Sequence, residues 1–216
     1  MTFKIDISVV VPIFNEEESL WNLVHQLVQV LRPTGHSFEL ILVNDGSTDS
    51  SSDVMLEISE EISETVCILL RKNYGQTAAM AAGFDQAKGD IIVTIDGDLQ
   101  NDPDDIPSIV NKLNEGFDLV SGWRYQRKDA QISRKIPSKI ANKLIGFVTG
   151  VHLNDYGCSL KAYRKDVLAD IKPYGELHRF LPVLANIEGA RITEMKVNHR
   201  PRIYGKSKYG IDRTFR

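Results

Sequence analysis

The stretch DIIVTIDGDLQNDPDD, residues 90–105, joins an apolar run to a group of carboxylates. Its residues Ile91, Ile92 and Val93 are of the type that favours strands. Five Asp follow within residues 94–105. Carboxylates this close repel one another and resist losing water unless a positive charge lies among them. The stretch therefore predicts a buried strand that leads into a cation-binding site.

Similar apolar runs recur along the first 124 residues and alternate with helical patterns. After the first run, for example, Leu20, Leu23, Leu27 and Leu31 recur at helical spacing. Strands that alternate with helices form βαβ units around a parallel sheet. We therefore predict an α/β fold with a mostly parallel sheet flanked by helices. The predicted strands cover residues 5–14, 38–45, 66–71, 90–98 and 117–124.

The composition is that of an ordinary globular domain. The chain has 216 residues, of which 42% are hydrophobic and 25% are charged, and this length is sufficient for one sizeable core. No run of about 18 apolar residues is present, so we expect no membrane span within the sequence. Cys67 and Cys158 do not have CxxC spacing, which argues against a disulfide framework and a zinc site. We predict a single domain over residues 1–216.

Charge is distributed unevenly along the chain, although the net charge is only −3. Residues 1–120 contain 6 Lys and Arg against 21 Asp and Glu, whereas residues 121–216 contain 20 Lys and Arg against 8 Asp and Glu. An acidic half followed by a basic half indicates two different binding functions. The alternative is an accident of surface charge.

Polar residues and turn formers follow each of the first four predicted strands. In an open parallel sheet, ligands bind beyond the carboxyl ends of the strands. Four polar ends in succession therefore predict a shared site, whereas a single polar end would be an ordinary loop. The candidates are Pro12, Phe14, Asn15 and Glu16 at the end of the first strand, Asp45 at the end of the second, Asn73, Gly75 and Gln76 at the end of the third, and Asp96, Gly97 and Asp98 at the end of the fourth.

Asp96 and Asp98 are separated by one residue, so that both side chains leave an extended backbone on the same face. Gly97 between them lets the backbone come close to a ligand. Mg²⁺ and Mn²⁺ bind carboxylate oxygens and complete their coordination with substrate phosphates. We therefore predict that Asp96 and Asp98 hold a divalent cation. The alternative, a solvated acidic turn and helix start, is expected for the remaining acids of the stretch, Asp102, Asp104 and Asp105.

Two sets of motifs resemble known glycosyltransferases. The stretches VVVPIFNEEESL, LILVNDGSTDSS, RKNYGQTAAMAAGF and DGDLQNDPDDI resemble the ordered motifs of the family-2 glycosyltransferases, which have the GT-A fold. The later stretches SGWRYQR, NDYGCSLKAYRK, LHRFLP and VNHRPRIYGKSKYG are similar to the polyprenyl-phosphate glycosyltransferases, the group of dolichol-phosphate mannosyltransferase and the bactoprenol glucosyltransferases. The resemblance extends from about Ile7 to Tyr209.

The resemblance implies one GT-A (Rossmann-like) catalytic domain with C-terminal amphipathic helices at the membrane interface. Residues 1–120 would form the nucleotide-sugar-binding half and residues 121–216 the acceptor and membrane-facing half. An amphipathic segment over residues 132–148 would lie on the bilayer; the alternative is an ordinary core helix.

The resemblance also implies roles for individual residues of the first half. Asp45 would accept a hydrogen bond from the base, while Asp96 and Asp98 would face the diphosphate and a Mg²⁺ or Mn²⁺ cofactor. Phe14 stands where the family often has Tyr, which removes a hydroxyl and keeps the ring. The residues expected to bind the nucleotide sugar are Pro12, Phe14, Asn15, Glu16, Asp45, Asn73, Gly75, Gln76, Asp96, Gly97, Asp98 and Gln100.

The basic half would bind the acceptor, a lipid phosphate, because the Arg guanidinium matches phosphate oxygens. Asp155 is the family's candidate acid near the reacting centre, and with Asp98 it forms the expected catalytic pair. The alternative for Asp155 is a turn residue before Gly157. The residues expected to bind the acceptor phosphate are Arg124, Arg127, Arg200, Arg202, Lys206 and Lys208.

The reaction implied by the resemblance is an inverting transfer of a sugar to polyprenyl phosphate, with undecaprenyl phosphate as acceptor, at the cytoplasmic face of the cell membrane. Glucose from UDP-glucose is the favoured donor, and GDP-mannose is next. The rivals are a transferase with a polysaccharide or protein acceptor and a non-catalytic nucleotide-sugar-binding membrane module. We expect a transmembrane anchor after residue 216 and a homo-oligomer formed through it, and we expect no nucleic-acid partner.

Overall fold

A computed structural model of the protein describes residues 4–125, 145–169, 171 and 173–204. Within these ranges, seven strands form one sheet. The strands are β1 (Ile7–Ile13), β2 (Phe38–Asn44), β3 (Thr65–Leu69), β4 (Ile91–Thr94), β5 (Leu119–Arg124), β6 (Lys161–Arg164) and β7 (Ile192–Val197). Their order across the sheet is β3-β2-β1-β4-β6-β5-β7.

Helices connect the strands and cover the sheet. They are α1 (Leu20–Leu31), α2 (Ser51–Glu61), α3 (Gln76–Gln86), α4 (Ile106–Asn114), α5 (Lys165–Ala169) and α6 (Leu181–Ile187). Short 3₁₀ helices cover Arg32–Thr34, Pro103–Asp105 and Leu177–Phe180.

The sheet is parallel except at one strand. β1 pairs in parallel with β2 and β4, β2 with β3, and β5 with β7. β6 lies between β4 and β5 and is antiparallel to both. The predicted mostly parallel α/β sheet is therefore confirmed, and the carboxyl ends of β1 to β4 lie at one edge.

Apolar side chains cover both faces of the sheet. On β1, Val9 and Val11 belong to the core shared with α1, α2 and α4, whereas Val10 belongs to the core shared with α3, α5 and α6. All three are fully buried. Because successive side chains of a strand point to opposite faces, a strand covered on both faces requires such an uninterrupted apolar run.

Pro12 lies within a central strand, where proline normally removes a hydrogen bond of the ladder. β4 pairs with β1 only between Ile7 and Val10. The Val10 carbonyl accepts from the Ile95 N–H at 3.2 Å, on the β4 side. Pro12, two residues later, turns its backbone nitrogen to the same side. Because the β4 pairing has ended there, no ladder bond is lost and β1 continues to the sheet edge.

Part of the expected amphipathic segment lies outside the described residues. The described part, residues 145–149, is helical. There the side chain of Phe147 is 84% exposed and that of Val148 is 73% exposed. Among the residues that the structure describes, no helix is long and apolar enough to cross a membrane.

Gly46 shapes the edge of the sheet after β2. Gly46 and Gly35 both have left-handed backbones, with φ of +66° and +74°. A Cβ at Gly46 would lie 2.3 Å from the carbonyl carbon of Lys72, whereas a Cβ at Gly35 would have no atom within 4 Å. Of these two glycines, only Gly46 would combine the strain of a left-handed backbone with a direct overlap between the added Cβ and the backbone at Lys72.

We expect Gly46→Ala to lower the free energy of unfolding by about 2–5 kcal/mol, the sum of left-handed strain and overlap. Gly35→Ala should cost only the strain, about 1–2 kcal/mol. Urea unfolding of the two variants measures the difference. If both variants lost the same free energy of unfolding, the backbone at Lys72 would be able to move away from the new Cβ without a loss of stability.

Candidate functional site

Hydrogen bonds join the loops that follow β1 and β2. The Asn15 side chain accepts from the Thr48 N–H at 2.7 Å, and the Asn15 N–H donates to Ser47 Oγ at 2.9 Å. The Glu16 N–H donates to Ser51 Oγ at 2.9 Å. Asn15 has φ of +54°, a left-handed conformation that Asn tolerates better than most residues. The two residues therefore hold the β1 and β2 loops together.

Asp45 joins the loops that follow β2 and β3. Its buried carboxylate accepts from the Tyr74 N–H at 2.7 Å and from the Gly75 N–H at 2.9 Å. The sequence predicted a contact with the base and not this structural role. An ionised carboxylate has about four acceptor positions. Asp45 can therefore fix the turn before α3 and still accept a hydrogen bond from a ligand.

Asp96 follows β4 and lies beside the start of α3. Gln76 Nε2 donates to Asp96 Oδ1 at 2.7 Å. Burial and the neighbouring Asp98 carboxylate raise the pKa of Asp96 from 3.8 to about 6, and this outweighs the opposing effects of a nearby hydroxyl and two cations. The structure thus brings Gln76, Asp96 and Asp98 together. The nearby cations do not fully offset the effects of burial and of Asp98 on the charged form of Asp96.

Arg202 pairs with this carboxylate group. Its Nη2 lies 2.5 Å from Asp98 Oδ2, and its Nη1 lies 3.6 Å from Glu16 Oε1. The Arg202 side chain is only 17% exposed and that of Asp98 11%. The sequence predicted that Arg202 binds the acceptor phosphate; in the structure its guanidinium pairs with the carboxylates of Asp98 and Glu16. The reason is tertiary, since Arg202 lies 104 residues from Asp98.

Arg200 also differs from its predicted place. Its Nη2 lies 2.5 Å from Asp102 Oδ1, and its Nη1 donates to Gln26 Oε1 of α1 at 2.6 Å. Asp102 is buried and accepts from the Asp104 N–H, so it is a paired cap and not the solvated turn residue expected from the sequence. Asp104 is exposed, as expected.

Arg124 and Asp155 form a buried bidentate ion pair. Arg124 Nε lies 2.7 Å from Asp155 Oδ2, and Arg124 Nη2 lies 2.9 Å from Asp155 Oδ1. The backbone N–H of Arg124 also donates to Asp155 Oδ2 at 3.3 Å. The two side chains are 15% and 9% exposed. A carboxylate held by a guanidinium is a poor proton acceptor, so this geometry favours an orienting role for Asp155.

Lys161 is a buried cation close to the site, and the sequence did not indicate it. It is 3% exposed, and its Nζ donates to the backbone carbonyls of Tyr156, at 3.3 Å, and of Cys158. Burial lowers the pKa of Lys161. These bonds fix the loop that carries Asp155. The sequence gives no signal for this role, because a Lys is almost never fully buried unless paired.

His178 lies beside the first turn of α3. Its Nδ1 is 2.7 Å from Thr77 Oγ1. Burial, with smaller effects from Arg179 and Lys161, lowers the pKa of His178 to about 4, so that the ring is neutral at pH 7. His178 therefore contributes a hydrogen bond and no charge to this end of the site.

The other residues predicted to bind the nucleotide sugar make fewer contacts with the carboxylates of the site. The Gln100 N–H donates to Asp98 Oδ1 at 3.1 Å, and Asn73 is exposed. A Cβ at Gly97 would make an ordinary contact of 3.5 Å with the Glu16 side chain, so the protein itself leaves room for one. Phe14 is partly buried. Predicted acceptor residues outside the described part of the chain are Arg127, Lys206 and Lys208.

The carboxylates fit a divalent cation. Across the described ranges, no group of three or more His, Cys, Asp or Glu side chains is arranged to hold a metal ion. Asp96 and Asp98 nevertheless supply two hard oxygen ligands, and burial together with repulsion from the Asp98 carboxylate raises the pKa of Asp96. Mg²⁺ commonly uses one or two carboxylates and takes its other ligands from phosphates and water. The donor set therefore suits a metal that enters together with a diphosphate.

We expect Asp96→Asn to raise the free energy of unfolding of the metal-free protein by about 1–3 kcal/mol at pH 7.5. The folded state holds the Asp96 proton more tightly than the unfolded state, with a pKa of about 6 against 3.8. The stability that this group gives the wild type is therefore highest below about pH 3.8, falls as the pH rises from 3.8 to about 6, and stays at the lower value above that. Urea unfolding at pH 7.5 and pH 5 should show the gap between variant and wild type narrowing at pH 5; a constant gap would contradict the shift.

Residues 8–172 match the family model described as "Glycosyl transferase family 2". Over 217 aligned residues the chain is 50% identical to a dodecaprenyl-phosphate galacturonate synthase of Rhizobium johnstonii, covering 99% of this chain and 64% of the relative. Over 208 residues it is 45% identical to an undecaprenyl-phosphate 4-deoxy-4-formamido-L-arabinose transferase of Salmonella paratyphi B, covering 96% and 63%. The chain thus spans somewhat less than two thirds of these relatives.

Solved structures share the fold. Glucosyl-3-phosphoglycerate synthase from Mycobacterium tuberculosis, in complex with Mn²⁺, UDP and phosphoglyceric acid, has a TM-score of 0.69 at 20% identity, with 92% of this chain and 72% of that chain covered. S. aureus TarS 1-349 in complex with UDP-GlcNAc also has a TM-score of 0.69, at 18% identity, with 95% and 62% covered. The expected GT-A arrangement of sheet and helices is thereby confirmed.

Proposed function

Because the chain belongs to glycosyl transferase family 2, we propose that it transfers a sugar from a nucleotide-sugar donor to a polyprenyl phosphate. The observation that carries the proposal is the edge where the ends of β1 to β4 meet, with Asp96 and Asp98 at its centre and a buried Arg124–Asp155 pair nearby. The names of the two relatives, which refer to dodecaprenyl and undecaprenyl phosphate, support the choice of acceptor.

The donor would lie along the loops after β1 to β3, with its diphosphate at Asp96 and Asp98. Mg²⁺ or Mn²⁺ held by these two carboxylates would neutralise the charge that develops on the departing nucleoside diphosphate. The chain itself fixes the geometry: Gln76 orients Asp96, and Asp45 holds the turn that precedes α3. Binding by Pro12, Phe14, Asn73 and Gln100 remains part of this proposal.

In the transfer step, an acceptor phosphate oxygen attacks the anomeric carbon of the sugar. The bond from that carbon to the diphosphate oxygen breaks, and the nucleoside diphosphate leaves with the electron pair. Direct displacement inverts the anomeric centre. A phosphate monoester with a second pKa near 6 is largely ionised at pH 7, so that a strong base is unnecessary. Asp155 can therefore act by orienting Arg124, whose guanidinium suits a phosphate ligand.

The donor sugar is the least constrained part of the proposal. The sequence motifs favour UDP-glucose, with GDP-mannose as the alternative. The names of the relatives add galacturonate and 4-deoxy-4-formamido-L-arabinose as candidates. No described contact distinguishes these sugars, so all four belong in the test.

We place the reaction at the cytoplasmic face of the cell membrane, where the lipid acceptor and the nucleotide sugar meet. The exposed Phe147 and Val148 support a location beside the bilayer. Assembly into a homo-oligomer is a further part of this proposal.

The test incubates the 216-residue chain with a short polyprenyl phosphate in detergent and one donor at a time, with Mn²⁺ or with EDTA. The donors are UDP-glucose, GDP-mannose, UDP-galacturonate and UDP-4-formamido-arabinose. Mass spectrometry of the lipid fraction should show one glycosylated polyprenyl phosphate, formed with Mn²⁺ and not with EDTA. Nucleotide binding without any glycosylated lipid would favour the non-catalytic module.

A further inference from the structure

We infer that Arg202 is an internal counter-cation of the donor site, which shares Asp98 with the divalent metal and thereby sets the affinity of the site for that metal. The inference rests on the metal-binding part of the proposed function. It replaces the predicted role of Arg202 as an acceptor-phosphate ligand.

Arg202 already uses one of the two oxygens through which Asp98 would bind a metal. Arg202 Nη2 lies 2.5 Å from Asp98 Oδ2, while the other oxygen, Oδ1, accepts from the Gln100 N–H at 3.1 Å. The same guanidinium reaches Glu16 Oε1 at 3.6 Å. A guanidinium and a divalent cation that bind the same carboxylate repel each other. Metal binding by Asp98 is therefore weakened as long as Arg202 stays paired with it.

The backbone of Arg202 is held at this position by its neighbours. His199 forms an antiparallel bridge with Asn101, and the Arg200 N–H donates to the Gln100 carbonyl at 2.8 Å. The Arg200 side chain adds its ion pair with Asp102. The segment that carries Arg202 is thus attached to the same loop that carries Asp98. The pairing is built into the fold and does not depend on the Arg202 side chain alone.

The local charge explains why the fold includes such a cation. Glu16, Asp96 and Asp98 form an acidic group at the end of β1 and β4, and two of the three carboxylates contact Arg202. Without a positive charge, their repulsion would oppose folding. Arg202 supplies that charge within the chain. The site is therefore stable before the metal arrives, at the expense of metal affinity.

The test measures Mn²⁺ binding to the 216-residue chain without nucleotide, by the electron paramagnetic resonance signal of free Mn²⁺. Arg202→Gln should bind Mn²⁺ about tenfold more tightly than wild type, because the competing charge is gone. Arg202→Lys, which keeps the charge, should stay closer to wild type. Arg191→Gln, which breaks the pair of the exposed Arg191 with Asp118 just before β5, should leave Mn²⁺ affinity unchanged.

The sign of the effect separates this role from a purely structural one. If Arg202 only supported the fold, Arg202→Gln would bind Mn²⁺ equally or more weakly, and that result would overturn the inference. Failure of both the wild type and Arg202→Gln to bind Mn²⁺ would also overturn the inference. If Arg202→Gln does not fold, Arg200→Gln is measured in its place. Loss of the Arg200–Asp102 pair should loosen the segment that carries Arg202 and raise Mn²⁺ affinity a few-fold. An unchanged affinity would contradict the inference. Sugar transfer is measured separately, so it can stand if the inference fails.

Discussion

Asp98→Asn is expected to lower kcat/KM for sugar transfer by about 10²–10³-fold, in line with the loss of one charge-stabilising group from an active site. Asn has nearly the same shape, so the Gln100 contact at this position can be kept. What is lost is the charge that pairs with Arg202 and that, in the proposed reaction, would bind the metal together with the donor. Circular dichroism should show an unchanged fold.

Asp104→Asn is the matched control for this variant. Asp104 belongs to the same acidic stretch but is exposed at the 3₁₀ helix after β4. It should transfer sugar at the wild-type rate. An Asp98→Asn variant with wild-type activity would remove Asp98 from the proposed reaction.

Asp155→Asn and Arg124→Gln are each expected to destabilise the protein by about 3–5 kcal/mol, because each leaves a buried charge without its partner. Each should also lower the transfer rate by about 10²-fold through loss of orientation at the reacting centre. The double variant should lose less stability than the sum of the two, since the pair acts as a unit.

The pH dependence of transfer distinguishes orientation from base catalysis by Asp155. If Asp155 orients Arg124, Asp155→Asn should lower kcat/KM without changing the shape of its pH profile. Disappearance of an acidic limb from the profile would instead identify Asp155 as the base. Additive losses of stability in the double variant would contradict the coupling of the pair.

The strands β1, β2 and β4 could be predicted because they are buried on both faces and appear in the sequence as apolar runs. β1 starts two residues later and ends one residue earlier than predicted, and β2 starts at the predicted residue and ends one residue earlier. The convergence of four polar strand ends follows from the parallel arrangement itself. The apolar strands and the meeting of their polar ends follow from the local hydrophobic pattern and from the strand–helix order, and both can be recognised in the sequence.

β6 could not be predicted, because its sequence KAYR begins and ends with basic residues. Its Lys161 is nevertheless buried, which becomes possible only because two backbone carbonyls of a preceding loop accept from Nζ. A lysine that is satisfied in this way gives no apolar alternation along the strand.

The arginine partners were also beyond sequence reasoning. The basic composition of the second half suggested free cations for an anionic ligand, but Arg200 and Arg202 pair with acids about 100 residues earlier in the chain. Part of the charge asymmetry between the halves is therefore used inside the protein. Only the three-dimensional arrangement shows which cations are committed in this way.

The central claim, transfer of a sugar onto a lipid phosphate, is tested most directly by ³¹P nuclear magnetic resonance of the acceptor. The chain, a short polyprenyl phosphate, Mn²⁺ and the preferred donor are mixed, and the phosphorus signal is followed. We expect the phosphate monoester signal to be replaced by that of a phosphodiester to a sugar with inverted anomeric configuration. Release of nucleoside diphosphate while the monoester signal stays unchanged would contradict the claim.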